Sequence, residues 1–290
     1  MSRLILNQQL WAAACNNDVA MVEAAMVAGA DPDFRDSPAD PTTEDACFST
    51  HSILHEAAYR GHGGVVDLLL VHGAEQCKDG TYGLTPLHMA CIKGHVEVCR
   101  LLLPKAKINA RCDTGDTALM TALLGENPYP LTAPPLEKKV ADTKRMIELV
   151  DLLLDAGGDP NANNDPGETP IWNALRYQQP VVMAHLIERG ADIHHTTVFR
   201  TTLLAEAGEA LARADSWGEI PHRRREAGEM RKRVHGCLTL LHEKGLCWED
   251  IPAADLLNHF PSEGVYHQLR ALWKSLEANP AANNARAISI

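Results

Sequence analysis

Residues 52–74, SILHEAAYRGHGGVVDLLLVHGA, set two histidines and a glutamate close together, the residue types from which a helical zinc hydrolase site is built. Such a site needs His-Glu-x-x-His, because imidazoles four apart on a helix share one face and reach one metal while the glutamate serves as general base. Here Tyr59 stands four after His55, and the next imidazole, His62, comes seven after it, beyond a helix-interrupting Gly61. The spacing rules this chemistry out. The same text also recurs 33 residues further on. Nine of the 17 aligned positions between Leu54–Leu70 and Leu87–Leu103 are identical, and Met89 replaces Glu56 in the copy. A thioether cannot act as a base, so His55 and His88 read as structural letters of a repeat.

Other chemistry fares no better. Cys47, His51, Cys77 and Cys112 would fall on successive loops, but their spacing matches no zinc motif. None of the eight cysteines forms a C-x-x-C pair, and several occupy apolar helix positions, which suits reduced thiols acting as small hydrophobes. There is no glycine-rich phosphate loop. Nucleophile–histidine pairs could be drawn from the fourteen histidines, but grooves between repeats offer no pocket that excludes water. The expectation is a non-enzyme with no metal, no cofactor and no small-molecule substrate.

A net charge of −11 opposes binding to nucleic acid, which needs a positive face to displace counterions, and to anionic membrane surfaces. No apolar run approaches the ~18–20 residues of a membrane span, and the first residues lack a signal-peptide pattern, so a cytoplasmic location is expected. With only 5% aromatic residues, the core must be built from Leu, Ala and Val.

The elements that carry these residues follow from the repeated words GLTPLHMACIKGH, GDTALMTALLG and GETPIWNALRYQQ, each followed by an apolar stretch ending near GADP, GGDP or GADI. Thr85 and Thr169 are placed to cap helices whose first residues, Pro86 and Pro170, have no N–H to satisfy. Ala57, Ala90, Ala122 and Ala174 allow close helix approach, and Gly29, Gly73, Gly157, Gly190 and Gly245 end second helices in a left-handed turn. These words resemble the ankyrin repeat, with its T-P-L-H-x-A-A, G-H and V-V-x-x-L-L-x-x-G-A-D pattern. The resemblance implies an all-α ankyrin-repeat solenoid of helix pairs with short finger hairpins. It comprises seven units, counting end units, within a domain at 1–277, with 278–290 a disordered tail. Trp11 takes the histidine position in the first unit. Insertions near 36–50, 125–144 and 211–235 break the period.

The resemblance also implies a partner protein bound at finger tips and on the exposed positions of first helices. Carried over position by position, that surface comprises Phe48, Tyr59, Arg60, Tyr82, Leu84, Ile92, Lys93, Arg176, Tyr177 and Phe199. Tyrosine and arginine suit it, giving large contacts with a polar tip. The run HRRREAGEMRKR, with Arg223, Arg224, Arg225, Arg231, Lys232 and Arg233, reads as a solvated extension of the second helix of unit six, or as a secondary patch for an acidic protein. The functional expectation is an inhibitor, immunity or anti-defence protein that occludes its partner. The alternative is an adaptor or host-directed effector joining two proteins.

Overall fold

The computed structural model describes residues 3–35, 51–76, 81–124, 136–220, 223–248 and 263–278. Phe48, the insertion at 36–50, residues 125–135 of the second insertion and residues 279–290 lie outside them. Among the described residues the regular structure is helical, with no strand. The chain divides into two compact units, Met1–Asp159 and Pro160–Ile290.

The first unit stacks four helix pairs: α1 (Arg3–Cys15) with α2 (Val19–Val27), α3 (Ile53–Arg60) with α4 (Gly63–Val71), α5 (Pro86–Lys93) with α6 (Val96–Leu102), and α7 (Ala118–Leu124) with α8 (Leu136–Asp155). First helices pack on first helices and second on second, α1–α3–α5–α7 and α2–α4–α6–α8. The second unit holds α9 (Pro170–Arg176) with α10 (Pro180–Glu188) and α11 (Leu203–Gly218) with α12 (Arg224–Glu243). There α9 packs on α11 and α10 on α12, and α13 (Glu263–Ala278) lies against both α11 and α12. Within each unit the core is a row of like residues. Leu10, Leu54, Leu87 and Leu119 fill the first helices of the first unit, and Ile171 and Leu204 take the same place in the second. On the second helices, Leu69, Leu153, Leu186 and Leu241 each stand four residues before a closing glycine, and all are fully buried.

The repeat's letters acquire their physical roles here. Thr85 caps α5 in a capping box with His88. His88 Nδ1 accepts from the Thr85 backbone N–H at 3.1 Å and lies 2.7 Å from its hydroxyl, while Nε2 donates to the Asp116 carbonyl at 3.2 Å. His55 repeats the arrangement one pair earlier, with Ser52 Oγ 2.8 Å from Nδ1 and the Leu84 carbonyl 3.1 Å from Nε2. Each ring ties its own cap to the base of the next finger. The second histidine of each repeat reaches backward, His62 to the Ala14 carbonyl at 2.9 Å and His95 to that of Tyr59 at 3.0 Å. Gly61 belongs to this link, since it has a φ of +76° and a Cβ there would meet the His95 ring at 2.6 Å. Where the capping position is followed by another residue type, the link is missing. Met120 and Trp172 take the histidine's place after Thr117 and Thr169, and both threonine hydroxyls are buried without a hydrogen-bond partner. Thr169 thus occupies the cap of α9 but makes no side-chain capping bond.

The fingers are turns joined edge to edge. Asp113 N–H donates to the Tyr82 carbonyl at 2.8 Å in the first unit, and Val198 N–H to the Pro166 carbonyl at 3.0 Å in the second. Asn109 and Asn161 continue the same ladder, each amide accepting from the backbone N–H two residues after the next closing glycine and donating to that glycine's carbonyl. The described residues of the insertion at 211–235 lie mostly in helices, lengthening α11 to 16 residues and α12 to 20.

Burial of imidazole makes this architecture acid-sensitive. His51, fully buried and stacked on His55 with ring centroids 5.4 Å apart, is pulled down by burial to about 4. Burial also lowers His95, partly offset by its bond to the Tyr59 carbonyl. His51 stays neutral in the folded chain while the unfolded chain takes up protons near pH 6.5, so its contribution is complete above that pH and is lost as pH falls toward 4, and the lowering at His95 acts in the same direction. Urea unfolding at pH 7.5, 6, 5 and 4 is expected to show stability falling through this window, with His51 alone accounting for up to about 3 kcal/mol. A flat profile would contradict the neutral, buried imidazoles.

Candidate interaction surface

In the first unit the expected surface residues sit at the C-terminal ends of the first helices and on a finger. Tyr59 and Arg60 close α3, Ile92 and Lys93 close α5, and Tyr82 and Leu84 precede the α5 cap. The structure brings Tyr59 and Lys93 together, with the ammonium 4.7 Å from the ring centroid. Arg60 is exposed and pairs with Glu56 one turn back. Tyr82 is 53% exposed, held outward by a left-handed backbone with φ +65°. Leu84 and Lys93 are half-buried. Ile92 departs from expectation. It is 9% exposed because an isoleucine side chain is too short to clear α3 and α7, which flank α5 on both sides. It therefore leaves the candidate surface.

In the second unit Arg176 ends α9, and its guanidinium is fixed by its own chain. It donates to Glu168 at 2.5 and 3.1 Å and to both carboxylate oxygens of Glu206 at 3.3 Å. Arg213 adds a bond to Glu206 at 3.1 Å and lies 3.8 Å from Glu209. Burial alone would lower the Arg176 pKa, but the Glu206 and Glu168 carboxylates outweigh it and raise the pKa above the ordinary arginine value. Burial, and then the neighbouring Glu206, raise Glu209. Arg176 is thus a structural rivet between α9 and α11, and its expected role as a contact residue is corrected accordingly. Sequence reading missed Glu206. Its signal was a lone carboxylate in the otherwise apolar LLAEA at the start of α11, where its side chain is 3% exposed. Tyr177 is half-buried, while Phe199 is 70% exposed beside Val198 at 64% on the next finger.

The basic run lies at the turn from α11 into α12, and its six cations are not equivalent. Arg231 pairs with Asp215 at 2.5 and 2.9 Å, Lys232 with Glu229 at 2.9 Å, and Arg223 lies over the Trp217 ring at 4.9 Å. Arg233 is half-buried, and burial lowers its pKa. Arg224 and Arg225 are exposed and make no ion pair among the described residues.

No group of three or more His, Cys, Asp or Glu side chains able to hold a metal occurs among the described residues. Cys47 and Cys77 lie outside those residues, and the Cys112 thiol bonds to the Thr114 hydroxyl at 3.0 Å. No described helix is long and apolar enough to cross a membrane.

Comparison with known proteins agrees with this geometry. A family model described as ankyrin repeats, in three copies, matches residues 10–112 and 54–129. An ankyrin repeat and KH domain-containing protein, mask-1, of Caenorhabditis elegans is 32% identical over 168 residues, 57% of this chain and 6% of that protein. A transient receptor potential cation channel subfamily A member 1 homolog from the same organism is 40% identical over 73 residues, 25% of this chain and 6% of the channel. An ankyrin repeat, SAM and basic leucine zipper domain-containing protein of Dasypus novemcinctus is 30% identical over 138 residues, 47% of this chain and 26% of its own length. The aligned stretches span between 6% and 26% of the length of these relatives. The stacked helix pairs, the capping threonine–histidine links, the left-handed closing glycines and the family match together show that the chain carries ankyrin repeats, a protein-interaction fold.

Proposed function

We propose that this chain binds a second protein through the concave, finger-lined face of its repeats and that binding occludes the partner, as an inhibitor or neutraliser would. The observation that carries the reading is the cation–π pair of Tyr59 and Lys93 at the ends of two adjacent first helices of the first unit, next to exposed Arg60, with Tyr82 exposed on the intervening finger. Large, rigid amphipathic side chains on a preformed helical scaffold lose little entropy on association, so affinity needs no chemistry. Tyr177 and Phe199 offer comparable contacts on the second unit, considered by itself. Non-catalytic action in the cytoplasm is part of this proposal.

Replacing Tyr59 and Arg60 together with Ala is expected to weaken partner binding tenfold or more, since a hot-spot residue contributes ~2 kcal/mol or above. Stability should fall by only about 1 kcal/mol, the sum of a partly exposed cation–π contact and an exposed i,i+4 ion pair. Titration calorimetry with the partner captured by the tagged chain, beside a urea melt of each variant, measures both. Unchanged affinity would remove this cluster from the interface.

The adaptor reading is favoured by a separate observation, the exposed Arg224 and Arg225 on the second unit. One partner per chain at saturation supports occlusion, and two simultaneous partners support the adaptor.

A further inference from the structure

We infer that Cys91 and Cys99 are a peroxide-responsive thiol pair whose disulfide staples α5 to α6. Both are free thiols in the core, 1% and 0% exposed, and their sulfurs lie 3.8 Å apart. Cys91 stands in the last turn of α5 and Cys99 near the start of α6, and the tight turn between them sets their approach. Gly94, with φ +69°, donates to the Cys91 carbonyl at 3.0 Å, and the Cys99 N–H donates to the His95 carbonyl at 3.0 Å. Packing alone does not call for two thiols here. The same two positions hold Ala14 and Val22 in the first helix pair, Ala58 and Val66 in the second, and Leu175 and Met183 on α9 and α10, all buried. Among these four pairs only α5 and α6 set thiol against thiol.

In the closed helix pair, burial first and then the neighbouring Cys99 push the Cys91 thiol well above its ordinary value. Thiolate, the reactive form, is therefore scarce until the pair opens locally. Once it opens, one thiolate attacks a peroxide oxygen. The O–O bond breaks, a sulfenic acid remains on that cysteine, and the released hydroxide takes up the thiol's proton as water. The second sulfur then attacks the sulfenic sulfur, so that the S–S bond forms as the S–O bond breaks, and the leaving hydroxide carries off the second thiol's proton as water. Two thiols and one hydrogen peroxide become a disulfide and two waters, with two electrons passing from sulfur to oxygen. Closure draws the sulfurs from 3.8 Å to ~2.0 Å. A dithiol reductant reverses the reaction by exchange, again through the opened pair. The site lies inside the stack and does not depend on the proposed partner or on the concave face.

The test treats the reduced full chain with hydrogen peroxide in native buffer, alkylates the remaining thiols in denaturant and maps the tryptic peptides by mass. Cleavage after Lys93 separates residues 79–93, which hold Cys91 alone, from residues 94–100, which hold Cys99 alone. The expected product is these two peptides joined, coming apart on treatment with dithiothreitol. The oxidised chain should melt about 5 °C higher than the reduced one, because the cross-link restricts the unfolded chain. Cys91→Ala with Cys99→Val installs the residues that the second helix pair already carries. That variant should keep the melting temperature of the reduced parent and lose the peroxide-induced rise. Absence of the joined peptides, Cys91 joined instead to another cysteine, or an equal rise in the double variant would each overturn the inference.

Discussion

Glu206→Ala is expected to lower the unfolding free energy by about 2–4 kcal/mol, among the largest single-residue losses available in this chain. The carboxylate is 3% exposed and accepts from Arg176 and Arg213 at 3.1–3.3 Å. Removing it leaves the partly buried Arg176 guanidinium with Glu168 alone, and breaking a buried pair costs more than the pair contributes, because the remaining charge stays desolvated. Glu168 persists at 2.5 Å, which keeps the loss below that of a fully orphaned charge. Glu206→Gln should cost less, since it keeps an acceptor oxygen and gives up only charge. Replacing both members, Arg176→Met with Glu206→Leu, should recover much of the loss, because no uncompensated charge is then left inside. Urea unfolding of the three variants separates these cases. If Glu206→Ala were neutral, the network would be a solvated surface feature and Arg176 would return to the candidate interface.

Much of the fold was legible because its letters act locally. Glycine adopts positive φ without strain where a second helix closes, and all five named from the sequence adopt φ between +88° and +91°. A threonine before proline marks the cap position of its own helix, where Thr85 makes the side-chain bond and Thr169 does not. The pattern reached the histidines as structural residues, but not the direction of their bonds, since the acceptors of His55 and His88 are carbonyls 29 and 28 residues further along the chain. The same reason hid the fate of Arg176. Its partners stand 8 and 30 residues away on a finger and another helix, and no helical spacing announces them. Ile92 misled for a different cause. Tyr59 and Ile92 hold the same repeat position, and whether that position reaches solvent depends on side-chain length against the flanking helices, which a repeat pattern does not encode. The basic run forms the start of α12, which extends the second helix of its pair. Which of its cations remain exposed became visible only once Asp215 and Trp217 of the preceding helix were seen opposite them.

Leu69→Ala is expected to destabilise the first unit by about 2–5 kcal/mol, because the side chain is fully buried in α4, which packs between α2 and α6. The cost has two parts, the lost transfer of the removed methyl and methylene groups and the cavity left where neighbouring helices cannot close in. Closure is limited on both sides. The α2 backbone is fixed by the Asp18 cap on Met21 N–H, and α4 is tied to α1 through His62 and the Ala14 carbonyl. Ala25 stands at the matching position of α2, four before Gly29, and is itself buried, so the row does not require leucine everywhere. What differs is the neighbourhood. At α2 the stack has helices of the described chain on one side only, through α4, whereas at α4 a cavity weakens contacts in both directions. In a repeat stack stability is roughly the sum of each repeat and its interfaces, so one defect at an interior pair removes two interfaces at once. Val71→Ala, two residues on in the same helix and 74% exposed, is the matched control and should stay within about 0.5 kcal/mol of the parent. Denaturant unfolding of both variants checks this, and a broadened or biphasic transition in Leu69→Ala would mark the first pair separating from the rest of its unit. Equal stability of the two variants would show that α4 is not held between two neighbours.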